Sequence, residues 1–103
     1  MAITVLVEYR VEDDKRDVFL GLVPELKQEL EAWGGKRFRA YEGADQAGLF
    51  VEEFSVEDME QYRKIKTIRQ TGDSPFWNRF NECVSGGSAK VHMWAFREIT
   101  AKE

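Results

Sequence analysis

The 103-residue chain has one cysteine, one histidine, two prolines and no excess of positive charge. Each shortage excludes something. Cys83 alone cannot form an internal disulfide, so the chain is no disulfide-stapled scaffold, and a reducing, cytoplasmic location is expected. One His and one Cys without clustered spacing give no ligand set, so neither a metal nor a cofactor is expected. No apolar run approaches the roughly 20 residues that cross a bilayer, and Met1 to Val11 lacks a basic start and a small-residue cleavage site. Neither a membrane partner nor a secretory signal is therefore expected. With 15 basic against 19 acidic residues, a net charge of −4 disfavours general nucleic-acid binding. What is present is 43% hydrophobic and 13% aromatic residues, too much for a disordered chain. The length allows one core, and the expectation is one soluble domain over residues 1–103.

Ile3, Val5, Val7, Tyr9 and Val11 alternate with Thr4, Leu6, Glu8 and Arg10, the two-residue period of a strand. Glu12, Asp13 and Asp14 suit the positive end of a following helix. Its apolar stripe is Phe19, Leu22, Val23, Leu26, Leu30 and Trp33. Pro24 projects from the other side, where a bend is best tolerated, and Gly34 and Gly35 end the helix. Lys36 to Glu42 reads as a second strand, Gly43 to Gly48 as a hairpin loop and Leu49 to Phe54 as a third strand. Ser55 with Asp58 forms a capping-box variant opening a second helix through Met59, Tyr62 and Ile65, which Thr71, Gly72 and Asp73 break. Ser74 and Pro75 start a short third helix with Phe76, Trp77, Phe80, Cys83 and Val84 on its apolar side. Gly86 and Gly87 stop it, and Ala89 to Ile99 reads as a long last strand.

Strand, helix, strand, strand, helix, strand is the ferredoxin-like α+β arrangement, a four-stranded antiparallel sheet with helices on one face. If Val5, Val7, Tyr9, Val91 and Met93 lie beneath the helices, then Leu6, Phe50, Phe54, Trp94 and Phe96 occupy the uncovered side. Leaving several large aromatics in water forgoes several kcal/mol at roughly 25 cal/mol per Å². Two such sheets packed face to face would bury them, so a two-fold homodimer is expected.

The run Ile3 to Val11, the helix ending near Trp33, the segment Arg39, Ala40, Tyr41, Glu42, the strand Gly48 to Phe54 and the capped helix after it resemble the dimeric α+β barrel superfamily, in particular its antibiotic-biosynthesis monooxygenase-like branch. The resemblance covers about the whole chain as a pattern of elements. It implies homodimers whose sheets close into a barrel with a small-molecule pocket. Some members are cofactor-independent quinone-forming monooxygenases and some degrade haem. Where the family often has a Trp near the end of the third strand, this chain has Phe54; where a His frequently follows on the next helix, it has Tyr62. The haem-degrading reading thus lacks its usual axial ligand.

His92 on the last strand could act as a base or hydrogen-bond donor, since its ordinary pKa of about 6.5 lies near working pH. The plainer reading is a strand histidine bonded to a neighbour or solvent. Glu8 and Arg10 share the face of Leu6, where charges must be paired or meet a polar ligand. With Glu52 they form a polar lining among Phe50, Phe54, Trp94 and Phe96, either a pocket for a planar aromatic compound or an intersubunit salt-bridge network. Arg63, Lys64, Lys66 and Arg69 read as the solvated side of a helix. Gly48 to Phe54 also resembles the aromatic third strand of RNA-recognition motifs, but Glu52 and Glu53 would repel phosphate. Cys83, on an apolar helix face, reads as packing. The expected function is binding of a small hydrophobic or aromatic molecule. Two alternatives stand beside it: a cofactor-independent monooxygenase acting on a phenolic substrate, with His92, Arg10 and Glu8 as catalytic residues, and a dimerisation module without ligand.

Overall fold

The β-branched first segment forms the strand around which the rest of the molecule is arranged. In the computed structural model, which describes residues 2–101, β1 spans Ile3–Arg10 and α1 spans Arg16–Ala32. They are followed by β2 (Lys36–Glu42), β3 (Leu49–Val56), α2 (Met59–Thr71), α3 (Pro75–Cys83) and β4 (His92–Phe96). Short 3₁₀ turns at Asp13–Lys15 and Gly87–Lys90 precede α1 and β4. The antiparallel sheet has the order β2-β3-β1-β4. This is the ferredoxin-like α+β fold, as the order of elements predicts.

The register decides which side chains face the helices. Val5 pairs with Phe54 and Ala95, Val7 with Glu52 and Met93, and Tyr9 with Phe50. Residues directly opposite one another share a face, so all of these point to the helical side. There they meet Phe19, Leu26 and Leu30 of α1, Tyr62 and Ile65 of α2, and Phe76, Trp77, Phe80 and Cys83 of α3. Phe50 and Phe54 are therefore core residues, not part of the uncovered face. The sequence of β3 does not decide this: Leu49, Val51 and Glu53 balance Phe50, Glu52 and Phe54, and only pairing with β1 separates the two sets. Val5, Val7, Tyr9, Val91 and Met93 lie beneath the helices as expected.

Three boundaries depart from the sequence reading. The second helix is capped by Asp58, whose Oδ1 accepts from Gln61 N at 2.9 Å, while Gln61 Oε1 accepts from Glu57 N at 2.9 Å. Ser55 instead belongs to β3, which runs two residues further than predicted. The first strand ends at Arg10, with Val11 retained only as an isolated bridge to Val84. The last strand is His92–Phe96 rather than Ala89 to Ile99. It is an edge strand with β1 as its one neighbour, and Ser85 N and Val84 already occupy the end of β1 at Arg10 and Val11.

The helix ends follow local chemistry. Gly34 adopts φ +91°, its N–H bonds Glu31 O, and Gly35 N bonds Leu30 O at 2.8 Å, a Schellman closure of α1. Pro24 lies on the exposed side of α1. Ser74 caps α3 through Trp77 N with Pro75 in its first turn. Among the described residues no helix is long and apolar enough to cross a membrane.

Candidate functional site

The uncovered face presents Leu6, Glu8 and Arg10 of β1, Val51 and Glu53 of β3, Arg39 and Tyr41 of β2, and His92, Trp94 and Phe96 of β4. Trp94 is 44% exposed, Phe96 48% and Tyr41 47%. At one end of this face, where β1 finishes and β4 begins, lies a cleft of about 510 Å³, within the range of small-molecule sites. Its walls come from three segments. The β1 end contributes Glu8 and Arg10, the β2–β3 hairpin contributes Gln46 and Leu49, and the α3–β4 connection with β4 contributes Lys90 and His92.

The chain builds this cleft by local means. Ser85 N bonds Arg10 O at 2.8 Å and Glu12 N bonds Cys83 O at 3.0 Å, tying the α3–β4 connection to the end of β1. On the other side Val11 N bonds Gly48 O at 2.9 Å, which holds the hairpin close. Arg10 Nη2 donates to Gln46 Oε1 at 2.6 Å, so the guanidinium is fixed by a neutral partner. Glu8 and His92 stand directly opposite each other across the β1–β4 ladder. The His92 and Trp94 rings are stacked, with centroids 6.1 Å apart and planes inclined by 29°. The three residues named from sequence as chemically active, Glu8, Arg10 and His92, are thus brought together, with Trp94 adjoining and Phe96 further along the same face.

Glu52, Phe50 and Phe54 are not brought to this cleft. Glu52 is fully buried on the opposite side of the sheet, where Arg69 Nη1 and Nη2 reach its two carboxylate oxygens at 2.6 and 2.9 Å. Tyr9 donates its hydroxyl to the same carboxylate. The Arg69 guanidinium carbon lies 4.8 Å from the Trp77 ring centroid and 5.0 Å from that of Phe80, a cation over two aromatic faces. Arg69 therefore does not belong with Arg63 and Lys64 on the solvated side of its helix. Burial alone would lower its pKa, but the charge and hydrogen bonds of Glu52 outweigh this and raise it. Burial, reinforced by the Glu52 charge, likewise pushes the Tyr9 phenol well above its usual range, so it stays a neutral donor. The cluster is an internal salt bridge that engages both Arg69 Nη atoms and leaves the buried Arg69 Nε without a partner. A position-based signal for it exists: Arg69 follows Ile65 by four residues and Tyr62 by seven, on their stripe, while Glu52 alternates with Phe50 and Phe54.

The remaining candidates have structural surroundings. Cys83 is buried, and burial pushes its thiol pKa up, which fits packing rather than nucleophilic attack. Phe50 and Phe54, turned inward, offer no surface on which bases could stack. Among the described residues no group of His, Cys, Asp and Glu is arranged to hold a metal ion.

The backbone has clear counterparts among solved structures. A Bordetella bronchiseptica protein provisionally named an antibiotic biosynthesis monooxygenase superposes with a TM-score of 0.76 at 12% identity, over 96% of this chain and 98% of that one. SnoaB, a cofactor-independent oxygenase from Streptomyces nogalater, gives 0.73 at 13% identity, over 97% and 95%. The chain has the ferredoxin-like fold of the antibiotic biosynthesis monooxygenase structures. A conserved Methanosarcina mazei protein shares it too, with a TM-score of 0.70 at 17% identity over 96% and 94% of the two chains. No family model and no curated protein matches the sequence. At these identities the likeness is one of fold, and the monooxygenase-like description applies to the backbone.

Proposed function

We propose that this chain is a single-domain, small-molecule-binding protein that works as a homodimer and takes an aromatic molecule in the cleft of Glu8, Arg10 and His92. The observation that carries the reading is the cleft itself. Three polar side chains of different chemistry, Glu8, Arg10 and His92, converge there, with the Trp94 ring stacked on His92 and Phe96 further along the same sheet face. A small-molecule site combines such an apolar surface with a few fixed polar groups.

The homodimer follows from that face. Half-exposed Trp94, Phe96 and Tyr41 leave on the order of 5 kcal/mol of apolar burial unused per copy. A second copy related by a two-fold axis offers the same residues in return, and its sheet would roof the cleft. The test is an amide-shift titration with phenol and 2-naphthol. The reading predicts shifts at Glu8, Arg10 and His92; shifts confined to other surfaces, or none at millimolar probe, overturn it.

A second reading takes the site as that of a cofactor-independent monooxygenase acting on a phenolic substrate. Its support is the pairing of His92 with Glu8 across the ladder, together with the fold shared with SnoaB. In this reading His92 takes the phenolic proton, Glu8 orients the imidazole or the substrate, Arg10 holds the phenolate, and Trp94 and Phe96 pack the ring. Oxygen uptake with dihydroquinones should then fall in His92→Ala and in Arg10→Ala. Uptake unchanged by both substitutions counts against it.

A further inference from the structure

The charges of the cleft run against those of the molecule. The chain carries a net −4, yet Arg10 and Lys90 face the cleft against a single carboxylate, Glu8. Among the described residues neither cation has an acidic partner, and the Arg10 guanidinium donates to the neutral Gln46 amide. Lys90 lines the cleft with its stem against Gly86, which has φ +85° and where a Cβ would lie 2.4 Å from Lys90 Cγ. A side chain at Gly86 would displace it, and only glycine takes this left-handed conformation at little cost.

We propose that the cleft selects a small aromatic carboxylate carrying a ring hydroxyl, of the hydroxybenzoate class. This rests on the reading that the cleft binds an aromatic molecule, and it specifies which one. The carboxylate meets Arg10 and Lys90, whose guanidinium fork and ammonium suit two carboxylate oxygens. The ring lies against His92, which stands opposite Glu8. The hydroxyl at the far end donates to Glu8, which would repel a second anionic group. Spacing supports this division. Glu8 and Arg10 are two residues apart on one face of β1, about 7 Å along the strand, which is the span of a benzene ring substituted at opposite ends.

The test is calorimetric and amide-shift titration of the intact protein with 4-hydroxybenzoate, phenol and benzylamine. The proposal predicts that 4-hydroxybenzoate binds about tenfold more tightly than phenol, as a charge-assisted contact should give. That preference should collapse in Arg10→Gln and weaken severalfold in Lys90→Gln. Arg10 and Lys90 are exposed, so both variants should fold. Phenol or benzylamine binding as well as 4-hydroxybenzoate, or a preference that survives Arg10→Gln, overturns the proposal and leaves the aromatic-binding reading standing. Absence of shifts at Glu8, Arg10 and His92 with all three probes overturns both.

Discussion

Replacing Glu52 with Leu should be among the most damaging single changes available to this protein, and replacing Arg69 as well should restore much of the loss. Both side chains are essentially inaccessible, with Arg69 held by two bonds of 2.6 and 2.9 Å to Glu52 and by contact with Trp77 and Phe80. Removing one partner leaves a buried charge with no counter-charge, which typically costs about 3–5 kcal/mol. A domain of this size has roughly 5–15 kcal/mol to lose. With a urea m-value of about 1.5 kcal/mol per M, the midpoint of Glu52→Leu should fall by about 2–3 M. Tyr9 would lose only a hydroxyl partner. In Glu52→Leu/Arg69→Met no charge remains buried, and the same reasoning puts the double variant within about 1–2 kcal/mol of the wild type. Equilibrium urea unfolding followed by Trp fluorescence measures all three. A Glu52→Leu variant within about 1 kcal/mol of wild type, or a double variant as unstable as the sum of its singles, would refute the reasoning.

Other expectations follow from single contacts. Phe96→Asp, at a residue already half exposed in one copy, should leave folding intact and shift sedimentation to the monomer at micromolar concentration. Glu42 accepts from Arg16 Nε at 3.1 Å and from Gly48 N at 3.0 Å, and these bonds lower its pKa to about 2. Because the unfolded carboxylate titrates near 4.3, the contribution of Glu42 should be complete above that pH and lost as pH falls toward 2. Thermal melts from pH 5 to pH 2 should therefore fall less steeply in Glu42→Gln. Asp58→Ala removes the cap of α2 and should cost about 1 kcal/mol in urea unfolding.

The order of elements could be read from the chain because each segment carries a local signal: alternation in Ile3 to Arg10, a helical stripe from Phe19 to Leu30, and turn glycines between them. What escaped was non-local. The facing of β3 depends on its register with β1, and both of its faces carry two apolar residues and one glutamate. The length of β4 depends on which part of β1 is free to pair, and Ser85 and Val84 take its end. Arg69 was hidden by its charged neighbours Arg63, Lys64 and Lys66, since a run of basic residues conceals the one that lies on the apolar stripe. The polar part of the cleft was legible because Glu8, Arg10 and His92 sit on strands whose alternation is unambiguous. Lys90 and Gln46 were not, since they come from connections whose positions only the folded chain defines.

Native mass spectrometry of freshly purified protein tests the central claim most directly. The expected result is an assembly of two 12.0 kDa chains that carries a small aromatic species lost on Arg10→Gln. A bare single chain at micromolar concentration, unchanged by added 4-hydroxybenzoate or phenol, would contradict it.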